Sequence, residues 1–137
     1  MAVPSYNEFL LLDSDEQLSL LFANRFLPTT ELRDLIRSLS VRYADLSYEV
    51  VCALLELIGD FSMHELVDFA RHMATSNIDS IRCFACDALS FIGNEDDIHR
   101  LTKLTMDAGH DSILNRRVCE CACNALEMIQ VRLEIDE

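Results

Sequence analysis

With 137 residues, half of them hydrophobic, the chain has the length of one domain that buries roughly 70% of its unfolded surface, and it is too apolar to stay disordered. Its 24 acidic side chains against 11 basic ones give a formal charge of −13, with acids in excess in every third of the chain. That balance lacks the basic stripe that holds nucleic acid and disfavours an anionic membrane surface. Three glycines and two prolines are too few for the turns of a sheet protein and point to long helices.

Taken in order, Ser5-Tyr6-Asn7-Glu8 has the form of a capping box and predicts a short helix through Leu11. Asp13-Ser14-Asp15-Glu16 opens a second helix carrying Leu18, Leu20, Leu21, Phe22 and Phe26, its acidic start suited to the helix dipole. Pro28-Thr29-Thr30 begins a third, with Leu32, Leu35, Ile36 and Leu39 at helical spacing. After a bridging segment from Val41 to Ser47, a fourth helix over 47–58 closes on Gly59 as a left-handed cap. Ser62-Met63-His64-Glu65 reads as a capping box for a fifth, and Asn77 or Asp79 caps a sixth that ends at Gly93. Asn94 caps a seventh with Ile98, Leu101, Leu104 and Met106. Asp111 or Ser112 opens an eighth, running to about Arg132 before an acidic tail of Glu134, Ile135, Asp136 and Glu137. Strand content is predicted near zero.

The sequence repeats itself. Ala85-Cys86-Asp87-Ala88-Leu89-Ser90-Phe91-Ile92 and Ala122-Cys123-Asn124-Ala125-Leu126-Glu127-Met128-Ile129 agree at five of eight positions, and Val51 to Ile58 is a weaker copy upstream. A period of 34 to 37 residues marks stacked helix pairs. The second helices of successive pairs then align Ser47/Ile81/Val118, Val51/Ala85/Ala122, Leu54/Ala88/Ala125, Leu55/Leu89/Leu126 and Ile58/Ile92/Ile129 as a buried stripe. The segmentation that follows is a single domain: a helical cap over 1–27, helix pairs over 28–60, 61–93 and 94–132, and a tail over 133–137.

Asp79-Ser80-Ile81-Arg82 with Ala85, Ala88-Leu89 and Ile92-Gly93, and Arg117-Val118 with Ala122, Ala125-Leu126 and Ile129, resemble the second helices of HEAT-type repeats. The resemblance implies an all-α, α–α superhelix of about eight helices that serves as a protein-binding scaffold. The basic position at Arg82 is Cys119 in the next copy, so a ladder of aspartate–arginine ties between repeats is not expected. In size, charge and architecture the chain is also similar to bacterial immunity proteins of the contact-dependent growth-inhibition type, which neutralise toxic nucleases.

The positions complementary to the buried stripe are Glu49/Cys83/Glu120, Ala53/Asp87/Asn124, Glu56/Ser90/Glu127 and Asp60/Asn94/Val131. They predict one broad acidic face, and the candidate protein-binding residues are Glu49, Glu56, Asp60, Asp87, Glu120, Asn124 and Glu127. A basic protein partner is its natural complement, because opposite fields steer encounter. A toxin nuclease, positively charged to hold its own substrate, is the expected partner, with direct nucleic-acid or membrane binding disfavoured. A monomer or weak dimer is expected.

Cys83-x-x-Cys86 and Cys119-x-Cys121-x-Cys123 invite a zinc or redox reading. Cys52, Cys86 and Cys123, however, occupy one repeat position, as small packing residues do. His64, His72, His99 and His110 share no face, and no catalytic, cofactor-binding or metal-binding residues are assigned. A basic leader and an apolar run of membrane length are both missing from the sequence, which predicts a cytoplasmic protein with reduced thiols. Two other functions fit the same residues: a HEAT-like adaptor using an apolar patch near Met128 and Val131, and a HEAT-like lyase or enzyme subunit using Cys83, Asp87 and Cys119.

Overall fold

The computed structural model describes residues 2–136. It is all-α, with eight α-helices among the described residues: α1 (Tyr6–Leu10), α2 (Ser14–Ala23), α3 (Thr30–Val41), α4 (Tyr48–Asp60), α5 (Val67–Met73), α6 (Asp79–Ile92), α7 (Ile98–Leu104) and α8 (Val118–Asp136). Short 3-10 turns at Tyr43–Asp45, His64–Leu66 and Glu95–Asp97 lead into α4, α5 and α7. Ser5 and Asp13 close capping boxes with Glu8 and Glu16, and Thr29 and Ser47 cap α3 and α4 through their hydroxyls. Among the described residues, no helix is long and apolar enough to cross a membrane.

α4 packs along α6 and α6 along α8, while α3, α5 and α7 each lie against the second helix of their own pair. The α1 helix rests on α3, and α2 on α4. The aligned stripe forms the core: Val51, Leu54, Leu55 and Ile58, Ala85, Ala88, Leu89 and Ile92, and Ala122, Ala125 and Ile129 are all buried. Small residues set the approach of α4 and α6, since a Cβ on Gly59 would stand 3.0 Å from Cδ2 of Phe91 and 3.3 Å from the Ala88 Cα.

Gly59 is therefore a packing residue inside α4 and not the helix stop. The left-handed position is Ser62, with φ 51°. Its amide donates to the Gly59 carbonyl and that of Met63 to the Ile58 carbonyl, which is the Schellman arrangement. Ser62 thus ends α4, and no side-chain cap opens α5. The α6 start also lacks a side-chain cap, because Asp79 is drawn away to the His110 amide and Arg82.

The expectation of a helix starting at Asp111 or Ser112 is overturned. His110–Asp111 and Arg116–Arg117 pair as a two-stranded antiparallel hairpin, β1 and β2, and α8 starts at Val118. The Asp111 carboxylate does accept the amides of Ile113 and Leu114, as a cap would. Asn115, at φ 55°, then turns the chain back so that Arg116 reaches Asp111 as well. At the other end α8 continues past Arg132 to Asp136, so the acidic residues expected as a tail are largely helical. Glu137 lies outside the described residues.

Arginine ties join neighbouring pairs. Arg37 on α3 bonds Glu65 at the start of the next pair, and Arg71 on α5 bonds Asp97 at the start of the one after. Each arginine also holds the aspartate three residues before it, Asp34 and Asp68. A ladder does run between repeats, but along the first helices. Asp97 is its buried rung: it accepts from Arg71, Arg100 and the Asn94 amide. Burial pushes its pKa up, and the bonds from Arg71 and Asn94 more than offset this, leaving it below the usual value.

Two stability measurements follow from these features. Asp97→Ala removes the buried carboxylate that Arg71 and Arg100 share and leaves Arg71 only its longer bonds to Asp68 and Asn94, and urea unfolding at neutral pH should show a loss of about 3 kcal/mol. Because the folded pKa of Asp97 is depressed, its stabilisation is present above the ordinary carboxylate value and fades as pH falls through the lower folded one, so the deficit of the variant should shrink in acid. Ser62→Gly removes a side chain from the left-handed region and should raise stability by about 1 kcal/mol. A loss there would contradict the cap assignment.

Candidate functional site

The face of α4 that α6 leaves uncovered forms the floor of a groove of about 520 Å³. Cys52, Ala53 and Leu57 from α4 and Leu21 from α2 lie beneath it, Phe22 of α2 and Arg25 in the turn after α2 form one wall, and Phe84 of α6 with Ile113 of the hairpin forms the other. Glu49, Glu56 and Asp60 line it. They lie seven and four residues apart, which puts them along one edge of the helix. None of the three forms an ion pair or side-chain hydrogen bond among the described residues.

Sequence reasoning placed Phe22 and Phe26 on the apolar side of the second helix; they are 64% and 78% exposed. Arg25 covers them from one side, with its guanidinium carbon 3.6 Å from the Phe22 ring centroid and 4.4 Å from that of Phe26. Such stacking satisfies the planar cation and shields the ring faces.

The seven candidate residues do not share one surface. Glu49, Glu56 and Asp60 are in the groove. Asp87 on α6 is half-buried, and Arg116 holds it at 2.7 Å while also bonding Asp111. Burial raises the Asp87 pKa and Arg116 opposes the rise. Its charge is thus already answered from the hairpin, and Arg116, whose guanidinium also lies 5.0 Å from the Phe84 ring, is a site residue that sequence reasoning missed.

Cys83 and Ser90, expected beside Asp87 on the open face, are buried between α6 and α8. Cys83 meets Cys121 of α8, and Arg132 of α8 donates to the carbonyls of Ser90 and Gly93. The repeat positions 83 and 90 therefore face the next helix. Their equivalents in α8, Glu120 and Glu127, lie on the side of α8 turned away from the stack, with exposed Asn124 near them. Glu120 is paired with Arg117.

The cysteines are all free. Burial pushes the Cys52 thiol up to about 12 and raises that of Cys86 as well. Contact with Cys121 together with burial raises Cys83. These are directions away from a reactive thiolate. Cys123, expected to pack like its equivalents, is exposed, because no further helix lies on that side of α8 among the described residues. No group of three His, Cys, Asp or Glu side chains is placed to hold a metal ion among the described residues.

Two of the groove carboxyls are shifted upward although both are exposed. Burial raises the pKa of Glu56, and the negative charges of Asp60 and Asp87 raise it further, against a smaller opposing effect of Arg116 and Arg25. Burial alone raises Asp60. Compared with protein families, curated proteins and solved structures, the chain finds no match in any of the three.

The raised carboxyls give a signed expectation. A carboxyl whose folded pKa exceeds its unfolded one destabilises the fold when ionised, and the penalty vanishes once both states are protonated. Glu56→Gln combined with Asp60→Asn should therefore raise the thermal midpoint at pH 7. The gain should disappear as the pH approaches about 4, near the unfolded values. A lower midpoint at pH 7 would mean that these carboxylates stabilise the fold.

Proposed function

We propose that this protein is a binding module for a basic protein partner, which it holds in the groove between α2, α4 and α6. The observation that carries the reading is the row of Glu49, Glu56 and Asp60, unpaired carboxylates above an apolar floor. Structural carboxylates in this chain are answered by arginine, as Asp97, Asp107 and Asp111 are. Carboxylates kept unpaired in a partly desolvated groove await a cation from outside.

The wider charge distribution supports the same reading. Among the described residues, six arginines are engaged in ion pairs, and Arg25, Arg33 and Arg132 donate to backbone carbonyls. The acid surplus therefore faces outward, where it speeds encounter with a positive surface. We read the helix pairs as HEAT-like repeats and the protein as an immunity protein, whose carboxylates occupy the surface that a toxin nuclease offers to phosphate. Such inhibition is steric and electrostatic and uses no chemistry of the inhibitor itself.

A second reading has its own observation. Met128, Val131 and Ile135 are 45%, 50% and 76% exposed along α8, which would suit an adaptor that docks through an apolar stripe. Self-association of the free protein that Val131→Glu abolishes would favour it.

Affinity capture from cells of the native host separates the two. The proposal expects a basic protein, lost from the variant Glu49→Gln/Glu56→Gln/Asp60→Asn and retained by Glu120→Gln/Glu127→Gln. With that partner purified, the triple variant should associate at least about tenfold more slowly at low salt, with a flatter salt dependence. If the partner has nuclease activity, an equimolar amount of the wild-type protein should abolish it. A partner that is acidic, or that binds the triple variant as fast as the wild type, would overturn the proposal.

A further inference from the structure

We infer that the occupant of the groove is an amphipathic, arginine-bearing helix of the partner, laid alongside α4. The inference rests on the basic-partner reading and adds the form and the cation. Glu49 and Asp60 lie 11 residues apart, so the acidic edge runs about 16 Å, three helical turns. Its intervals of seven and four residues are those at which a second helix repeats one face. A helix with basic residues at matching intervals meets all three carboxylates while its apolar face meets the accessible surface of Leu18, Phe22, Ala53 and Ile113.

The backbone decides between a helix and an extended segment. The groove is floored by α4, and its first wall is α2, so the peptide groups along most of its length are bonded within helices. The two-stranded hairpin contributes only Ile113, in its loop, to the lining. An extended chain entering an apolar groove would lose water from its peptide groups and find no strand edge to pair with, whereas a helix brings its own hydrogen bonds.

Arginine is favoured because the groove already holds one. The guanidinium of Arg25 stacks on Phe22 and Phe26, and its positive field reaches Glu56. An aromatic face beside a carboxylate is an arrangement that a planar guanidinium fills on both sides and an ammonium on one.

The test titrates the intact protein with a fluorescein-labelled peptide of about 18 residues, long enough to populate a helix, with leucines on one face and arginines flanking it. Parallel peptides replace arginine by lysine, interrupt the centre with two prolines, or replace arginine by glutamate. The arginine peptide should bind and gain helical circular dichroism. Its affinity should fall about tenfold or more in Glu49→Gln/Glu56→Gln/Asp60→Asn and in Ala53→Trp, which fills the floor, and should hold in Glu120→Gln/Glu127→Gln. Thermal melts confirm that the variants are folded, and the charge variant decides if Ala53→Trp is not. Equal binding of the proline-broken peptide overturns the helix while leaving the basic-partner reading intact. Equal binding of the lysine peptide overturns the arginine preference. If the arginine peptide binds no better than the glutamate one, both the inference and the reading beneath it fall.

Discussion

Arginine is the constraint on which the rest of this structure depends. Eleven basic side chains face twenty-four acids, and almost all of the bases work inside the fold. Arg37 and Arg71 join one helix pair to the next, Arg82 ties the start of α6 to Asp107, and Arg132 closes the end of α6 from α8. Arg116 fixes the hairpin to α6 through Asp87 and Asp111. Each guanidinium makes two or more directed bonds, a geometry that lysine lacks. Surface charge is a consequence: with the cations engaged internally, the carboxylates that no tie requires are left facing water.

That division also separates scaffold from site. Asp97 and Asp111 are fully buried, accept several donors and sit below the usual carboxylate pKa, as structural acids do. Glu56 and Asp60 have no such donors among the described residues, and their pKa values move the other way. Net charge alone could not have told these two kinds of carboxylate apart; hydrogen-bond supply does.

The core was legible in the sequence because burial along a helix is periodic, and the alignment of Val51, Ala85 and Ala122 or of Ile58, Ile92 and Ile129 needs no third dimension. The open face was harder. Positions 83 and 90 looked outward by helical phase, yet phase cannot say on which side the next helix will stack, and α8 covers them. The same ambiguity joined Glu120 and Glu127 to a groove they do not line. The hairpin escaped notice because Asp111 uses the same side-chain chemistry in an Asx turn as at a helix cap, and only the left-handed Asn115 distinguishes the outcomes. The first-helix ladder did leave a trace, Asp34-Leu35-Ile36-Arg37 against Asp68-Phe69-Ala70-Arg71 at the repeat period, visible once the first helices are aligned as carefully as the second.

The reliance on guanidinium groups leaves Lys103 as the sole lysine of the chain. It stands on α7 in a hollow with Asp96, His99 and Arg100, and it does not line the groove. Amine-directed chemistry thus has a single side-chain target. Acylation there cannot cut any of the ties that hold the helix pairs together, because those cations are inert to it. A dye or surface tether attached at Lys103 would leave the acidic groove unmodified and open to solution.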